Sequence, residues 1–358
     1  MKYKQEIAFI NREKDLRALG DFINKRPSEI LFLHGPKSSG KTTLLYRFFE
    51  KLSTEEKLDI KYINLRKILL INYKDFLQSF FQLDYSRQKE DIKEKREYDL
   101  KVFKLSIETL RGLENKELDP FVVMEMELSK LVKKGIKPII IIDELQALDE
   151  IYLNGGRRLI TELFNFFVAM TKESHLAHII ISSSDGYFIE TVYTDSKLKK
   201  TSRFFEINYL TYEDTMEWLS NIERYSCIKD YTLNKDEAEK IWEVVGGSMW
   251  EIQSILSELF SRSLKDVLEE YKMRMRGIID DYVGFNQGKV EILRFFTEHQ
   301  KLSRKEMAQF ITRPSEEVEF LLKDMVKNNI LYYDPTLAIF YPQGSSLEWG
   351  IKLYFEKI

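Results

Sequence analysis

The 358-residue sequence contains a single cysteine, Cys227, so no disulfide bond can form within the chain. Such low cysteine usage is typical of a reducing compartment. The first residues, MKYKQEIAFINREKDL, lack the apolar segment of a signal peptide. No apolar run reaches the roughly 20 residues needed to cross a membrane. Together these absences predict a cytoplasmic protein with no membrane association.

The sequence also has few histidines and a small net charge. The four histidines, His34, His175, His178 and His299, share no zinc-type spacing with one another or with the cysteine. This pattern predicts no metal cage built from histidine and cysteine. The formal net charge is only −3, so the bulk composition does not indicate a polyanionic partner.

Five short segments are apolar throughout rather than at alternate positions. This pattern is typical of parallel strands that are covered on both faces, and helical stretches separate the segments. The sequence therefore predicts a doubly wound α/β domain. The predicted strands are Ile30–His34, Leu58–Leu65, Pro138–Ile142, Ala177–Ser182 and Phe204–Asn208.

A long insertion lies between the second and third predicted strands. We predict a charged helical insertion over about residues 83–117. Its middle, residues 86–101, is almost entirely charged, which favours a solvated helix or loop over a partner-docking arm.

Helical patterns follow the fifth predicted strand. Thr211 and Asn234 each stand three residues before an acidic residue, as helix-capping residues do. From about residue 285 the pattern is three helices and a hairpin that turns at Asp334-Pro335, which is the outline of a winged helix. The predicted units are an α/β domain over residues 1–208, a helical domain over 209–284 and a winged-helix domain over 285–358.

The first predicted strand runs directly into the motif G-x-x-x-x-G-K-[ST]. Glycines allow backbone N–H groups to converge on an anion, Lys41 reaches β- and γ-phosphates, and the Thr42 hydroxyl ligates Mg²⁺. A strand before the motif and a helix-forming segment after it are the context that this chemistry requires. The predicted triphosphate-binding residues are Gly35, Pro36, Lys37, Ser38, Ser39, Gly40, Lys41, Thr42 and Thr43.

Two further strands end in polar residues. In PIIIIDEL, four isoleucines deliver Asp143 to the carboxyl end of a strand, where open α/β sheets bind ligands. We predict that Asp143 holds Mg²⁺ through water and that Glu144 polarises an attacking water. After the fourth strand, Ser183 is a candidate γ-phosphate sensor, although a serine-rich turn explains the same residues nearly as well.

The base of the nucleotide is predicted from a missing motif. Guanine selection usually needs N-K-x-D, and neither NKRP (24–27) nor NKDE (234–237) fits that pattern. We therefore predict ATP, bound with Mg²⁺, as the ligand.

With these motifs in place, the sequence resembles the archaeal ATPase family within the STAND class of P-loop NTPases, which are relatives of AAA+ proteins. FINREKDL (9–16), GPKSSGKT and IIIIDEL match its entry segment and two nucleotide motifs. The resemblance implies an ASCE-type parallel sheet of order 5-1-4-3-2, a helical lid and a C-terminal winged helix. It also implies that Phe9, Ile10 and Arg12 lie against adenine and that Glu144 is the catalytic glutamate.

Two later segments extend the resemblance. SRFFEINYLTYEDTMEWL places Arg203 where the family carries an arginine, which implies contact with the γ-phosphate in cis or from a neighbouring subunit. GGSMWEI resembles a lid segment, but Met249 stands where the family has a proline that touches nucleotide.

Two functions are consistent with this sequence. The first is an ATP-hydrolysing switch that rearranges its lid and winged helix and acts through a protein partner or self-association. The second is an ATP-licensed DNA-binding regulator or replication-initiator-like protein. Residues 286–358 carry ten basic and ten acidic residues, and the segment 315–329 has four acidic against two basic. An acidic third helix disfavours DNA reading and favours a docking or autoinhibitory role.

Overall fold

The computed structural model describes residues 9–52, 57–67, 73–83, 103–148, 151–152, 156–195, 197–225 and 231–356. The charged segment predicted at 86–101 and Cys227 lie outside the described residues. Among the helices of the described part, none is both long enough and apolar enough to cross a membrane.

The central sheet has five parallel strands with helices on both faces. Counted along the chain as one to five, the strands have the order 5-1-4-3-2 from one edge, which confirms the predicted topology. Ile139 and Ile141 pack on one face of the sheet and Ile140 and Ile142 on the other, so a continuous apolar run fills both layers. These strands are β1 (Ile30–His34), β2 (Leu58–Asn64), β5 (Lys137–Asp143), β6 (His178–Ser183) and β7 (Ser202–Glu206).

The fifth strand lies two residues earlier than predicted. Ser202 and Arg203 pair with Ile30 and Leu31, and β7 ends at Glu206 instead of Asn208. Because β7 is an edge strand of the sheet, polar residues are tolerated there. Its first residues are Ser202 and Arg203, so an apolar run does not mark where the strand begins.

The helices of this domain occupy the two faces of the sheet. One apolar layer joins α1 and α2 to the sheet, and a second layer joins α3, α5, α6 and α7 to its other face. The helices are α1 (Glu13–Asn24), α2 (Lys41–Leu52), α3 (Tyr73–Phe80), α4 (Ile107–Glu114), α5 (Pro120–Lys133), α6 (Leu159–Val168) and α7 (Gly186–Asp195).

The insertion is not purely helical, which corrects the prediction. Within it, residues Phe103–Leu105 form a short strand, β4, where a helix was expected, and β4 pairs in parallel with β3 (Phe81–Leu83) at the start of the insertion. Helix α4 begins after Ser106, whose hydroxyl accepts the Thr109 N–H, so this end of the insertion returns to helix.

Between the sheet and the C-terminal unit, the described residues form a series of helices. Thr211 accepts the N–H of Asp214, and Asn234 forms a reciprocal capping box with Glu237, as predicted. These helices are α8 (Tyr212–Ser220), α9 (Ile222–Tyr225), α10 (Lys235–Val245), α11 (Met249–Glu258) and α12 (Leu264–Val283).

The C-terminal unit contains the predicted three helices and hairpin, together with a third strand. Ser303 forms a capping box with Glu306, and the third helix buries Val318, Leu321 and Met325, all as expected. Strand β8 adds to the hairpin and makes an antiparallel sheet of order β8-β10-β9. The elements are α13 (Gln287–Phe295), β8 (Leu302–Ser303), α14 (Arg304–Phe310), α15 (Ser315–Lys327), β9 (Leu331–Asp334) and β10 (Ile339–Pro342).

A last helix, α16 (Ser345–Phe355), was not predicted and packs along α12. A Cβ atom on Gly350 would lie 2.7 Å from the Met275 carbonyl oxygen, so α16 and α12 approach each other backbone to backbone. Apolar residues of α8, α10–α13, α15 and α16 form one continuous core. The helical segment and the C-terminal unit therefore share their packing.

We expect Gly350→Ala to destabilise the protein by about 1–3 kcal/mol, because the methyl group forces α16 away from α12. Gly277→Ala is the matched control within α12: nothing lies within 4 Å of its Cβ position, and alanine should stabilise the helix by up to about 1 kcal/mol. Urea denaturation of both variants measures the difference. Equal effects would contradict the close helix contact.

Candidate active site

The carboxyl ends of the five strands meet at one edge of the sheet. Asn64 ends β2 beside Asp143, and Asp143 is in register with Ser182 on β6. His34 ends β1 between Ser183 and the end of β7. The chain leaves His34 directly into the predicted phosphate-binding loop, so this edge gathers the residues that the motifs selected.

Backbone geometry shapes this loop. Gly35, Ser38 and Gly40 have φ values of 152°, 64° and 91°. A Cβ atom on Gly35 would lie 2.0 Å from the Ile207 carbonyl oxygen, and one on Gly40 would lie 2.3 Å from the Met249 Cε atom. Both positions therefore require glycine. Positive φ angles within a turn are typical of the concave nests that bind phosphate.

Lys41 begins α2 and turns back over the loop. Its Nζ atom donates to the carbonyl oxygens of Gly35 and Pro36, both at 2.8 Å. Burial lowers the pKa of Lys41 from 10.5 to about 8, although the nearby Glu144 and Asp143 carboxylates raise it. A buried ammonium held by carbonyl oxygens is suited to exchange these partners for phosphate oxygens, so the residue fits a triphosphate ligand.

Thr42 and Asp143, the two residues predicted to hold Mg²⁺, are in contact. The Thr42 hydroxyl donates to Asp143 Oδ2 at 3.1 Å, and the Tyr62 hydroxyl donates to the same oxygen at 3.1 Å. The Asn64 Nδ2 atom donates in turn to the Tyr62 hydroxyl oxygen at 3.4 Å. A threonine hydroxyl and a carboxylate are oxygen ligands of the kind that Mg²⁺ takes, so these residues fit that ion.

Glu144 is held by neighbours that the sequence analysis did not identify. It has a φ of 63°, a conformation that non-glycine residues seldom adopt. Its carboxylate accepts from Arg66 at 2.6 Å and from the Gln146 side chain at 2.5 Å. Ser183 donates to Gln146 at 2.9 Å, so the candidate sensor connects to Glu144 through Gln146.

Arg12 lies beneath the loop. One guanidinium nitrogen donates to the Ser39 carbonyl at 3.0 Å and to the Asn208 carbonyl at 2.6 Å, and the other contacts Asp15 at 3.1 Å. The side chain is buried. The guanidinium therefore supports the phosphate-binding loop. This is a second role for Arg12, beside the contact with adenine that the sequence analysis expects.

The segment that leaves β7 also supports the loop. The Ile207 N–H donates to the His34 carbonyl at 2.7 Å, and the Tyr209 hydroxyl donates to the Lys37 carbonyl at 2.8 Å. The remaining loop residues, Ser38, Ser39 and Thr43, complete the turn and the first turn of α2.

The entry segment lies between α2 and α8. Phe9 packs with the apolar layer of α1 and α2, and Ile10 is buried in the core of the helical segment. Asn11 donates to Asp214 of α8 at 2.6 Å, so this segment connects the sheet domain to the helices that follow it.

Arg203 does not reach this edge, which corrects the prediction of a γ-phosphate contact in cis. It is in register with Leu31, three residues before the end of β1, which is about 10 Å along the strand. Its guanidinium pairs with Glu29 at 2.6 Å near the opposite edge. Arg203 stands near the beginning of β7, whereas the phosphate-binding loop follows the carboxyl end of the neighbouring strand β1.

A nested glycine loop with a buried lysine, a carboxylate at the threonine hydroxyl and an adjacent glutamate define a P-loop ATPase. The sequence profile of the family described as "ATPase domain predominantly from Archaea" matches residues 9–255. The chain belongs to this archaeal ATPase family.

Related sequences extend over almost the whole chain. The chain is 33% identical over 358 residues to the uncharacterized ATP-binding protein MJ1006 of Methanocaldococcus jannaschii, with 97% of this chain and 95% of the relative covered. It is 32% identical to the uncharacterized ATP-binding protein PYRAB12000 of Pyrococcus abyssi, with 98% of each covered.

Solved structures share the fold at low sequence identity. The Walker-type ATPase PABY2304 of Pyrococcus abyssi matches with a TM-score of 0.67 and 18% identity, covering 98% of this chain and 99% of that one. The ORC2 protein of Aeropyrum pernix, in its ADPNP–ADP complexes, matches with a TM-score of 0.53 and 13% identity over 99% and 96% of the chains. These similarities concern the fold.

We expect ATP affinity to fall as the pH rises through about 8, the lowered pKa of Lys41. Triphosphate stabilises the ammonium form, so the pKa of Lys41 is higher in the complex than in the free protein. Above pH 8, binding must take up a proton, and the affinity falls by up to about tenfold per pH unit. Titration calorimetry with Mg²⁺·ATP from pH 7 to 9.5, in two buffers of different ionisation enthalpy, measures affinity and proton uptake. Lys41→Gln should bind weakly and without this dependence; an equal fall in that variant would assign the proton to another group.

Proposed function

We propose that this ATPase is a Mg²⁺-dependent switch whose nucleotide state changes how its lid and C-terminal unit dock on the ATPase domain. The observation that carries the proposal is the contact of the C-terminal unit with the edge of the sheet that bears the site. In this proposal residues 1–208 are the ATPase domain, 209–284 the lid and 285–358 a winged helix.

A charged contact, here called the clasp, joins α14 of the C-terminal unit to α7 of the ATPase domain. The guanidinium of Arg304 donates to both oxygens of Glu190, at 3.1 and 2.6 Å. It also donates to Glu319 at 3.1 Å and to the Tyr333 hydroxyl at 3.0 Å. Such a bidentate pair has a defined geometry, which suits a contact that forms in one arrangement and breaks in another.

The clasp is continuous with the site through α7. Ser183, at the end of β6, accepts the N–H of Asp185, and α7 begins one residue later. A Cβ atom on Gly186 would lie 1.9 Å from the Tyr333 carbonyl oxygen, so the first turn of α7 touches β9 directly. A movement of the β6 end would therefore displace both the start of α7 and the strand packed against it.

The site chemistry follows from the positions of its side chains. Lys41 and the loop amides would hold the β- and γ-phosphates, and Thr42 with Asp143 would hold Mg²⁺, whose charge neutralises that of the phosphates. Glu144 would orient and deprotonate the attacking water. Phe9, Ile10 and Arg12 would lie on the adenine side, and Ser183 would report the state of the γ-phosphate to α7 through the turn at Asp185.

Glu144 must change partners before it can act as a base. In the structure its carboxylate is paired with Arg66 and hydrogen-bonded by Gln146. With one oxygen accepting from Arg66 and the other from Gln146, both carboxylate oxygens already hold a donor, which must give way before a water can donate in the right direction. Because the side chain of Arg66 is 63% exposed, water competes for it and the pair can open at little cost. We infer that release of Glu144 accompanies the active arrangement.

No feature of the described residues favours the DNA-binding alternative over the switch. Glu319 of α15, the helix that would enter a DNA groove, is tied to Arg304 and accepts a hydrogen bond from the Tyr187 hydroxyl of α7. This acidic helix therefore faces the ATPase domain, which supports an intramolecular docking role. A protein partner or a second copy would compete for the same face.

We expect Glu144→Gln to bind ATP within a few-fold of the original affinity while turnover falls at least about 100-fold, because the amide cannot accept the proton. Phosphate release and titration calorimetry measure the two quantities. Glu127→Gln, a surface carboxylate on α5, is the control and should change neither. Undiminished turnover in Glu144→Gln would remove this residue from the mechanism.

The switch itself is tested with hydrogen exchange. In Glu144→Gln, we expect amides of α7 and β9 to differ at least about tenfold in exchange rate between ATP and ADP, because the clasp forms in only one of these states. Adding Arg304→Ala should abolish the difference. Arg313→Ala is the matched control, since Arg313 pairs with Glu291 and Glu317 inside the C-terminal unit. Identical exchange with both nucleotides would contradict the proposal.

A further inference from the structure

A second polar cluster lies where the C-terminal unit meets the sheet. His34 is the last residue of β1, Glu206 the last of β7 and Asp334 the last of β9. One ring nitrogen of His34 and one carboxylate oxygen from each acid lie within 4.8 Å of one another. Three potential metal ligands therefore converge from three separate segments.

Only one of the two ring nitrogens of His34 has a hydrogen-bond partner among the described residues. The residue is 1% exposed, and its Nδ1 atom pairs with the Tyr332 hydroxyl at 2.8 Å. Its Nε2 atom has no hydrogen-bond partner among the described residues. Buried polar atoms are normally satisfied, so the unpaired Nε2 atom of a histidine that lies next to two carboxylates is a candidate metal ligand.

Glu206 and Asp334 are two carboxylates that lie side by side, and Lys301 is a cation near Glu206. Asp334 is 3% exposed, and its Oδ1 atom accepts the N–H groups of Thr336 and Leu337 in the hairpin turn. Glu206, half-buried beside it, faces a group of the same charge. A bound cation would relieve this repulsion and supply the partner that His34 lacks.

We propose that His34, Glu206 and Asp334 bind one divalent transition-metal ion of the Zn²⁺ type. A neutral imidazole and two carboxylates, with water in the fourth position, are a donor set that Zn²⁺ accepts, whereas Mg²⁺ seldom takes a nitrogen ligand. Zn²⁺ ligands lie about 2.0–2.2 Å from the ion, so small side-chain rotations must draw the three groups closer. The Tyr332 hydroxyl would then accept a hydrogen bond from the Nδ1–H group and fix the orientation of the His34 ring.

This site is separate from the proposed Mg²⁺ position. Strand β6 lies between β1 and β5, so His34 and Asp143 end strands that stand about 10 Å apart. The ion would tie β9 to two strands of the ATPase domain. The inference does not rest on the switch, because the three ligands lie together in the arrangement that the structure shows.

Zn²⁺ binding to the full chain without nucleotide tests the site, with metal content measured after dialysis and affinity by competition with a chromophoric chelator. We expect one Zn²⁺ per chain, with affinity at least about tenfold weaker in each of Glu206→Gln, Asp334→Asn and His34→Gln. Asn at 334 keeps the oxygen that accepts the turn N–H groups, so this variant retains the hairpin. Thermal melting in EDTA verifies that each variant folds.

Two controls separate this site from other carboxylates. Asp143→Asn removes the proposed Mg²⁺ ligand and Glu190→Gln removes a clasp carboxylate, and neither should change Zn²⁺ stoichiometry or affinity. Excess Mg²⁺ should not displace the bound Zn²⁺. Absence of stoichiometric binding, unchanged affinity in the Glu206→Gln, Asp334→Asn double variant, or displacement by Mg²⁺ at equal concentration would each overturn the proposal.

Discussion

The phosphate-binding loop depends on donors that satisfy its carbonyl groups. A nest that turns its N–H groups toward an anion leaves backbone carbonyls pointing outward, and buried carbonyls need partners. Arg12 supplies one partner, with its guanidinium on the Ser39 carbonyl at 3.0 Å. Lys41 serves Gly35 and Pro36, and Tyr209 serves Lys37. The glycines make the loop possible, and these side chains hold its shape.

The same donors join the loop to the rest of the chain. Arg12 also donates to the Asn208 carbonyl at 2.6 Å, and Tyr209 belongs to the segment that leads into α8. Met249, at the start of α11, lies against Gly40. The orientation of the helical segment after β7 and the shape of the loop therefore depend on shared contacts, so a change in one requires a change in the other.

The sequence predicted the features that local pattern determines. The loop motif and the caps at Asn234 and Ser303 depend on residues close together in the chain, whereas the order of the five strands was expected only from the resemblance to the family. The missed features depend on pairing between distant segments. Arg66 reaches Glu144 only because β2 and β5 pair side by side, and no spacing in the sequence indicates this contact. Histidine spacing likewise indicated no cluster at His34, because its neighbours Glu206 and Asp334 lie on other strands.

The strength of the docking contact bears on whether it can respond to nucleotide. Arg304 and Glu190 are each about 30% exposed, and hydrogen bonds to charged groups contribute about 1.5–3 kcal/mol. Reversing a two-state equilibrium from 1:99 to 99:1 takes about 5.5 kcal/mol. A clasp of a few such bonds is therefore within the range that differential nucleotide binding can overcome. The apolar core that α12 and α16 share is much larger than this contact, so the helical segment and the C-terminal unit should move together against the ATPase domain.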